Sequence, residues 1–139
     1  MFRMWEVVSD RSKMSDTEDV VGVICVDAKG QVLLVQGKGG KWSFPKGRRK
    51  SNETHYQGAI REAREEAGID LNGRPVNVKI SLRYGTYYLY AFGRTGDQIS
   101  LESSSTPEEI ETVAWVNLKS KEFLSADKNA DLRFYCKKN

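Results

Sequence analysis

The sequence predicts one α/β domain, and three observations carry that prediction. The chain has 139 residues, a length typical of a single domain with its own buried core. Two apolar runs rich in β-branched residues, Val20–Asp27 and Gln31–Gln36, flank the turn-forming stretch Ala28–Gly30, and this pattern indicates a β-hairpin. Apolar residues then recur at helical spacing between Glu53 and Ala67, which indicates a helix after the hairpin. Strands and a helix in one chain are compatible with an α/β fold.

The remaining elements follow from composition. Met1–Val8 is expected to form a short strand, and the polar residues 9–19 to form a loop or flexible linker. The helix is expected to end at Gly68 and to bury its periodic residues, namely Tyr56, Ile60, Ala63 and Ala67. The later segments are two strands, a polar loop, a strand and a final helix: Val76–Tyr84, Thr86–Gly93, Gly93–Pro107, Glu109–Asn117 and Lys119–Tyr135. In the final helix we expect Phe123, Leu124, Leu132 and Phe134 to face inward.

Bulk composition describes an ordinary globular chain. Charged residues make up 29% and hydrophobic residues 39%, and the net charge of +3 permits a polyanionic substrate without demanding nucleic acid. The two cysteines, Cys25 and Cys136, are too few and too far apart for a disulfide framework, which favours a reducing compartment. No run is apolar and long enough for a signal peptide or a membrane span. We therefore expect residues 1–139 to form one cytoplasmic domain with no membrane partner, and a nuclear location stays open.

Acidic residues cluster along the predicted helix. Residues three and four positions apart share a helix face, so Glu62 lies one turn before both Glu65 and Glu66, and the three carboxylates can converge. Carboxylates held that close need a compensating cation, and hard oxygen ligands suit Mg²⁺ or Mn²⁺. The alternative is a solvated helix face with weak Glu–Arg pairs, each contributing at most about 0.5 kcal/mol.

The segment Gly47–Ile69 resembles the Nudix box: Gly, five residues, Glu, seven residues, Arg-Glu, apolar, any, Glu-Glu, any, Gly, apolar. Every fixed position is filled at the required spacing, by Gly47, Glu53, Arg61, Glu62, Ala63, Glu65, Glu66, Gly68 and Ile69. A match at so many fixed positions is far more specific than a lone glycine motif. The resemblance implies an α/β/α sandwich around a mixed sheet. It also implies hydrolysis of a pyrophosphate bond in a nucleoside diphosphate linked to another group.

The resemblance assigns roles within the box. Glu65 and Glu66 would be the principal metal ligands, Glu62 would ligate directly or through water, and Gly47 would complete the set. Arg61 would pair with Glu53 and orient the helix. Bound divalent ions, of which we expect more than one, act as Lewis acids and lower the pKa of a coordinated water. The expected cofactor is Mg²⁺, with Mn²⁺ as a substitute.

The general base has two candidates, Glu66 itself and Glu109. Glu109 lies six residues before Trp115 at the start of a predicted strand. This segment resembles one in Nudix enzymes that act on RNA 5′ ends, where a matching glutamate binds metal or accepts the water's proton. Glu108 is the alternative match. A capping or surface role after Pro107 is nearly as well supported for this glutamate.

Basic and aromatic residues before the helix are candidates for substrate binding. Lys46 and Arg48 flank the glycine turn and suit phosphate contacts, whereas Arg49 and Lys50 are expected to be solvated. Trp42 is the candidate for stacking on a base, and Glu109 would also face the substrate. The lead-in WSFPKG resembles that of mRNA-decapping enzymes and, more loosely, of RNA pyrophosphohydrolases and dinucleoside polyphosphate hydrolases. It differs from the double-glycine lead-in of enzymes that hydrolyse oxidised nucleotides.

The favoured hypothesis is therefore a metal-dependent hydrolase of the RNA 5′ end, either cap or triphosphate. The alternative is a hydrolase of small polyphosphates: diadenosine polyphosphates, nucleoside triphosphates including oxidised ones, or diphosphoinositol polyphosphates. A non-catalytic nucleotide-binding module is less favoured, because a binder does not need all of Glu62, Glu65 and Glu66. Whether the chain is a monomer or a homodimer stays open.

Overall fold

A computed structural model describes residues 19–93 and 108–138 of the chain. The strands are β1 Val20–Val26, β2 Val32–Gly37, β3 Trp42–Ser43, β4 Lys46–Arg48, β5 Val78–Ser81, β6 Thr86–Ala91 and β7 Ile110–Val116. The helices are α1 His55–Ala67, α2 Lys121–Leu124 and α3 Ala130–Lys138. The predicted strand Met1–Val8, nearly all of the predicted linker at 9–19 and nearly all of the polar loop Gly93–Pro107 lie outside the described residues. No helix in the described segments is long and apolar enough to cross a bilayer.

The strands form one mixed sheet with β1 near its centre. β1 pairs with β6 in parallel and with β4 in antiparallel orientation, and β2 pairs with β7 in antiparallel orientation. The predicted hairpin between β1 and β2 exists at its turn, where Val26 pairs with Val32. Farther from the turn, β1 takes β4 as its partner, so the β4 strand lies against the first half of β1. This exchange brings Gly47 next to Val21 in the sheet.

Helices cover both faces of the sheet, as an α/β/α sandwich requires. Alternate residues of β1 face opposite sides, so Val21 and Val23 pack against α1 while Ile24 packs toward α2 and α3. The periodic face of α1 is buried as predicted: Ile60, Ala63 and Ala67 are in the core, and Tyr56 is half-buried against it. Phe123 and Leu132 provide the apolar contacts of α2 and α3 on the other face.

The start of α1 differs slightly from the prediction. The helix begins at His55 rather than Glu53, because Thr54 caps it. The Thr54 hydroxyl accepts a hydrogen bond from the Gln57 amide at 3.0 Å, and the Gln57 side-chain oxygen accepts one from the Thr54 amide at 2.9 Å. Gly68 ends the helix as predicted, with a left-handed φ of 68°. Glu53 therefore stands just before the helix, with its carboxylate directed back to the helix surface.

The predicted final helix Lys119–Tyr135 is wrong in two respects. It is divided into α2 and α3, because the backbone between them bonds to β3 instead of to itself. Trp42 donates its amide to the Asp127 carbonyl at 2.9 Å, and its carbonyl accepts from the Asn129 amide at 3.0 Å. Leu124 was expected to face inward but is 64% exposed. Phe134 is only half-buried, and the fully enclosed aromatic residue of α3 is Tyr135.

Candidate active site

Arg61 is the hub of the acidic cluster on α1. Its guanidinium donates to both Glu53 carboxylate oxygens, at distances down to 2.7 Å, and to Glu62 at 3.0 Å and Glu65 at 3.1 Å. A further donor reaches the Arg48 carbonyl at 3.0 Å. One side chain thus joins three carboxylates of the box and the end of β4. The structure contains the Arg61–Glu53 pair that the family resemblance implies.

This pairing sets the charge state of Glu53 and Arg61. The hydrogen bonds from Arg61 hold the pKa of Glu53 below its usual range, assisted by the Lys50 amide, which donates to Glu53 at 2.8 Å. In return, the hydrogen bond to Glu53 raises the pKa of Arg61, so the guanidinium stays charged although it is only 21% exposed. The pair is therefore a fixed charge framework and not a titrating group.

Glu62 is the most deeply buried carboxylate of the cluster, with 8% of the residue exposed. Burial raises its pKa, and the charge of Arg61 partly offsets that rise. The neighbour that makes this position possible is Gly47 on β4, since a Cβ atom there would overlap the Glu62 carboxylate. The glycine at the first position of the box is thus needed for the close approach of β4 to α1.

Glu66 lies one turn farther along α1 and faces β4 and β7. Its Oε1 atom accepts a hydrogen bond from the Lys46 amide at 3.1 Å. Burial raises the pKa of Glu66 to about 7, opposed by the Lys46 amide and ammonium and reinforced by the charges of Glu62 and Glu109. Glu109 therefore lies close enough to Glu66 for their charges to interact. A nearby cation would favour ionised Glu66, because it would offset the cost of desolvation.

The carboxylate donors suit a hard divalent cation, although they are not arranged around a common metal position. No group of three or more acidic, histidine or cysteine side chains in the described segments has a metal-binding arrangement. Glu62 and Glu65 are instead paired with Arg61. Glu62 and Glu66 are nevertheless desolvated oxygen donors with raised pKa values, and an oxygen-only set suits Mg²⁺ or Mn²⁺.

Basic residues of β4 border the carboxylates. Lys46 lies against Glu66, and Arg48 has an exposed side chain beside the Arg61–Glu53 pair, to which its carbonyl is bonded. Among the described residues, neither cation forms an ion pair within 4.0 Å. Both predicted phosphate-binding cations are thus next to the acidic cluster.

Arg49 was expected to be solvated, and that expectation is wrong. Its guanidinium donates to the Glu53 carbonyl at 2.7 Å and to the Asp19 carboxylate at 3.1 Å, and its side chain is 23% exposed. Arg49 therefore fixes the loop that carries Glu53. Sequence reasoning missed this positioning residue because Asp19 is 30 residues away along the chain. Lys50 is exposed, as expected.

Trp42, another predicted site residue, lies on the other side of the sheet from the carboxylates. Trp42 packs edge-on against Phe123, with ring centroids 6.0 Å apart, and belongs to the core on the face opposite α1. The structure therefore does not bring Trp42 to the carboxylates.

Glu109 immediately precedes β7 and is exposed, and its backbone carbonyl accepts a hydrogen bond from the Lys38 amide at 3.1 Å. Trp115 packs inward against Phe92.

Gly47→Ala is expected to lower the free energy of unfolding by about 1–3 kcal/mol, because the added methyl group displaces the Glu62 carboxylate or moves β4. Chemical denaturation measures this loss. Gly39→Ala is the matched control, since a Cβ there meets nothing within 4 Å. Equal stability of the two variants would contradict the tight β4–α1 contact.

Comparison with known proteins identifies the family. The family model for the NUDIX domain matches residues 16–136. The chain is 34% identical over 105 residues to mRNA-decapping enzyme subunit 2 of Arabidopsis thaliana, covering 71% of this chain and 28% of that protein. It is 27% identical over 103 residues to the 8-oxo-dGDP phosphatase NUDT18 of Danio rerio, covering 69% of this chain and 31% of that protein.

The chain thus spans less than a third of these curated relatives. Its fold is similar to the crystal structure of a Caenorhabditis elegans Ap4A hydrolase in a binary complex. The TM-score is 0.62 at 21% identity, with 86% of this chain and 92% of that chain covered. The similarity extends well beyond the box segment, and the predicted sandwich around a mixed sheet is confirmed. The chain belongs to the Nudix family.

Proposed function

We propose that this domain hydrolyses a pyrophosphate bond in a substrate that links a nucleoside diphosphate to another group, and that the preferred substrate is the RNA 5′ end. The observation that carries the proposal is the pair of desolvated carboxylates, Glu62 and Glu66, beside the half-buried Lys46 and the exposed Arg48 of β4. Such a site attracts a polyphosphate and a divalent cation together. The function proposed is therefore catalytic rather than structural.

Glu62, Glu65 and Glu66 would hold Mg²⁺, with Mn²⁺ as a substitute and more than one ion bound. Bound ions would neutralise charge on the phosphate oxygens and lower the pKa of the attacking water. Arg61 keeps Glu62 and Glu65 on one side of α1, and Glu53 holds Arg61 in place. Lys46 and Arg48 would bind the phosphates that flank the scissile bond.

A carboxylate must also accept the proton of the attacking water, and Glu66 and Glu109 are the candidates. Glu109 is favoured by its exposure and by its electrostatic interaction with Glu66 across the site. Its backbone is anchored to Lys38, so its carboxylate starts from a defined position. One carboxylate oxygen of Glu66, by contrast, already accepts a hydrogen bond from the Lys46 amide.

Glu109→Gln is expected to lower kcat about 10²-fold or more, as removal of a general base does, while Glu108→Gln changes it less than twofold. Steady-state turnover at several pH values measures both variants. The base-deficient variant should also lose the rise of rate with pH. If both variants keep full activity, Glu66 remains as the base and the assignment to Glu109 is wrong.

The preference for an RNA 5′ end is supported by the relative named mRNA-decapping enzyme subunit 2 and by the WSFPKG lead-in at Trp42–Gly47. A small polyphosphate is the second candidate, favoured by the relative named 8-oxo-dGDP phosphatase. Lys46 and Arg48 suit either substrate class, since RNA 5′ ends and small polyphosphates both carry phosphate groups. The expected location is the cytoplasm, with the chain acting as a monomer or homodimer.

Product analysis by mass spectrometry distinguishes these substrates. The protein and its Glu65→Gln/Glu66→Gln variant would each be incubated with Mg²⁺ and a substrate panel. That panel holds capped RNA, 5′-triphosphate RNA, diadenosine polyphosphates, nucleoside triphosphates including oxidised ones, and a diphosphoinositol polyphosphate. A control without divalent metal accompanies each substrate.

Release of a 7-methylguanosine diphosphate or of pyrophosphate from RNA, absent in the variant and without metal, would establish the proposed activity. Cleavage of small molecules alone would replace RNA by the second candidate. No cleavage of any substrate, with Mg²⁺ binding intact, would contradict the hydrolase and leave a nucleotide-binding module.

A further inference from the structure

A second cleft lies at the same end of the sheet as Gly47, between the β5–β6 connection and α3. It has a volume of about 400 Å³ and is lined by Arg83, Tyr84, Ala130, Arg133, Phe134 and Lys137. This volume is within the range of about 300–1,000 Å³ typical of small-ligand sites. The lining has three cations and two aromatic rings and contains no acidic residue. Nothing in the hydrolytic mechanism uses these residues.

The cations of the cleft are not neutralised by carboxylates. Arg83, Arg133 and Lys137 are exposed, and none of them forms an ion pair within 4.0 Å in residues 19–93 and 108–138. The Arg133 guanidinium donates one hydrogen bond to the Lys128 carbonyl at 2.6 Å, which positions its charged end next to the start of α3 and leaves its other donors for a ligand. A cleft of this composition attracts phosphate groups.

Tyr84 adds an aromatic surface to these charges. It is 47% exposed, and Leu124 is the other exposed large hydrophobic residue in the described part of the chain. The Arg83 guanidinium lies 5.7 Å from the centroid of the Tyr84 ring, so a cation and a π face are presented together. Rows of cations with exposed aromatic rings are how proteins bind single-stranded nucleic acid.

The cleft is held in shape by a buried carboxylate. Asp131, which is 2% exposed, accepts hydrogen bonds from the Tyr84 amide at 3.1 Å and from the Tyr87 hydroxyl at 2.9 Å. These bonds join the β5–β6 connection to the first turn of α3. The backbone of Tyr84 is therefore held in place by a hydrogen bond to a buried residue of α3, although its ring is exposed.

The cleft and the acidic site lie toward the same end of the sheet, although α3 and α1 pack on opposite faces. In the sheet, Val21 pairs with Gly47 on one side and with Thr86 on the other. Two strand spacings separate Thr86 from Gly47, a distance of about 10 Å. RNA that passes around this end of the sheet needs only several nucleotides to join the two places, since even a stacked strand advances about 3.4 Å per nucleotide.

We propose that this cleft binds the single-stranded RNA that follows the 5′ end, with a base stacked on Tyr84 and backbone phosphates bound by Arg83, Arg133 and Lys137. The inference rests on the proposed function for its biological meaning, because it states where the body of an RNA substrate lies. Binding at this cleft requires no pyrophosphate and no hydrolysis. The cleft would thereby favour RNA over a small polyphosphate that ends at the acidic site.

The test is fluorescence anisotropy with a labelled 5′-hydroxyl RNA of about 12 nucleotides, which has no scissile bond. Tyr84→Ser is expected to raise Kd about tenfold, the loss of one base–aromatic stack. Arg133→Gln/Lys137→Gln is expected to raise Kd and to reduce the slope of log Kd against log salt by about 1.4, or 0.7 for each lost contact. Lys119→Gln/Lys121→Gln is the matched control, because it removes two exposed charges near α2.

The inference is overturned if the protein does not bind this RNA at low salt, or if the control loses as much affinity as the cleft variants. It is also overturned if inorganic polyphosphate competes fully and Tyr84→Ser has no effect, since the cleft is then a general anion site. RNA binding that depends on Tyr84, without hydrolysis of any RNA 5′ end, would support the cleft while contradicting the proposed substrate. RNA hydrolysis with unaltered KM in the cleft variants would support the proposed substrate while contradicting RNA binding at the cleft.

Discussion

Glu66→Gln is expected to lower kcat about 10³-fold while the fold survives. The loss of a metal ligand removes several kcal/mol of transition-state stabilisation, and each 1.36 kcal/mol changes the rate about tenfold. Glutamine keeps the oxygen that accepts the Lys46 amide, so the contact between α1 and β4 is retained. Burial raises the pKa of Glu66 to about 7, which means that the folded state disfavours its charge. The neutral variant should therefore be no less stable than the parent at neutral pH. Steady-state kinetics and thermal unfolding measure the two effects.

Glu122→Gln on α2 is the control for this substitution, because it removes the same charge from an exposed position. That variant should retain full kcat. A third readout is the rise in Tm on addition of Mg²⁺, which should be smaller for Glu66→Gln, since a ligand that binds only the folded state stabilises it in proportion to its affinity. A variant with the kcat of the parent and the same rise in Tm on addition of Mg²⁺ would show that Glu66 is not a metal ligand.

The helix at the centre of the site is the part of the fold that local sequence predicts best. Its apolar residues recur with the helical period over three turns, and the burial of Ile60, Ala63 and Ala67 follows from that period alone. Its end at Gly68 follows from the special conformation that glycine adopts there. The start was misplaced by two residues, because Thr54 and Gln57 form a capping box that competes with the acidic Glu53 as a start signal.

The arrangement of the carboxylates was only partly predictable. Helical spacing places Glu62, Glu65 and Glu66 on neighbouring positions, but it does not say which cation occupies the space between them. Arg61 lies four residues before Glu65 and takes up that space, with Glu53 reaching it from outside the helix. The pairing with Glu53 was expected only because the segment resembles the Nudix box.

Contacts between distant segments account for the failed predictions. The exposure of Arg49 depends on Asp19, and the break between α2 and α3 depends on hydrogen bonds to Trp42. The side of the sheet that Trp42 faces is set by the register of β3 on β2, where Trp42 pairs with Gln36. A one-residue change of register would reverse that side, so local composition carries little information about it.

Arg61→Ala is expected to lower the free energy of unfolding by about 2–3 kcal/mol and to abolish most activity. Removing one member of a buried ion pair costs about 3–5 kcal/mol, and the value is lower here because Arg61 is 21% exposed and water can reach the site. The reason for the loss is the set of three carboxylates left without their shared partner, of which Glu62 is the most buried. Arg61→Lys should recover only part of the stability, because an ammonium lacks the planar fork with which the guanidinium bonds Glu53, Glu62 and Glu65 together.

Arg64→Ala on the same helix is the matched control. Arg64 pairs with Asp70 at 3.0 Å, but both side chains are more than half exposed, and such surface pairs contribute only about 0–1 kcal/mol. Urea denaturation of the three variants should therefore rank Arg64→Ala closest to the parent and Arg61→Ala farthest from it. Mg²⁺ should stabilise Arg61→Ala more than it stabilises the parent, since Glu62 and Glu65 then lack a competing cation. If Arg61→Ala is as stable as Arg64→Ala without metal, the guanidinium does not hold the acidic cluster together, and the order of Glu53, Glu62 and Glu65 must come from packing alone.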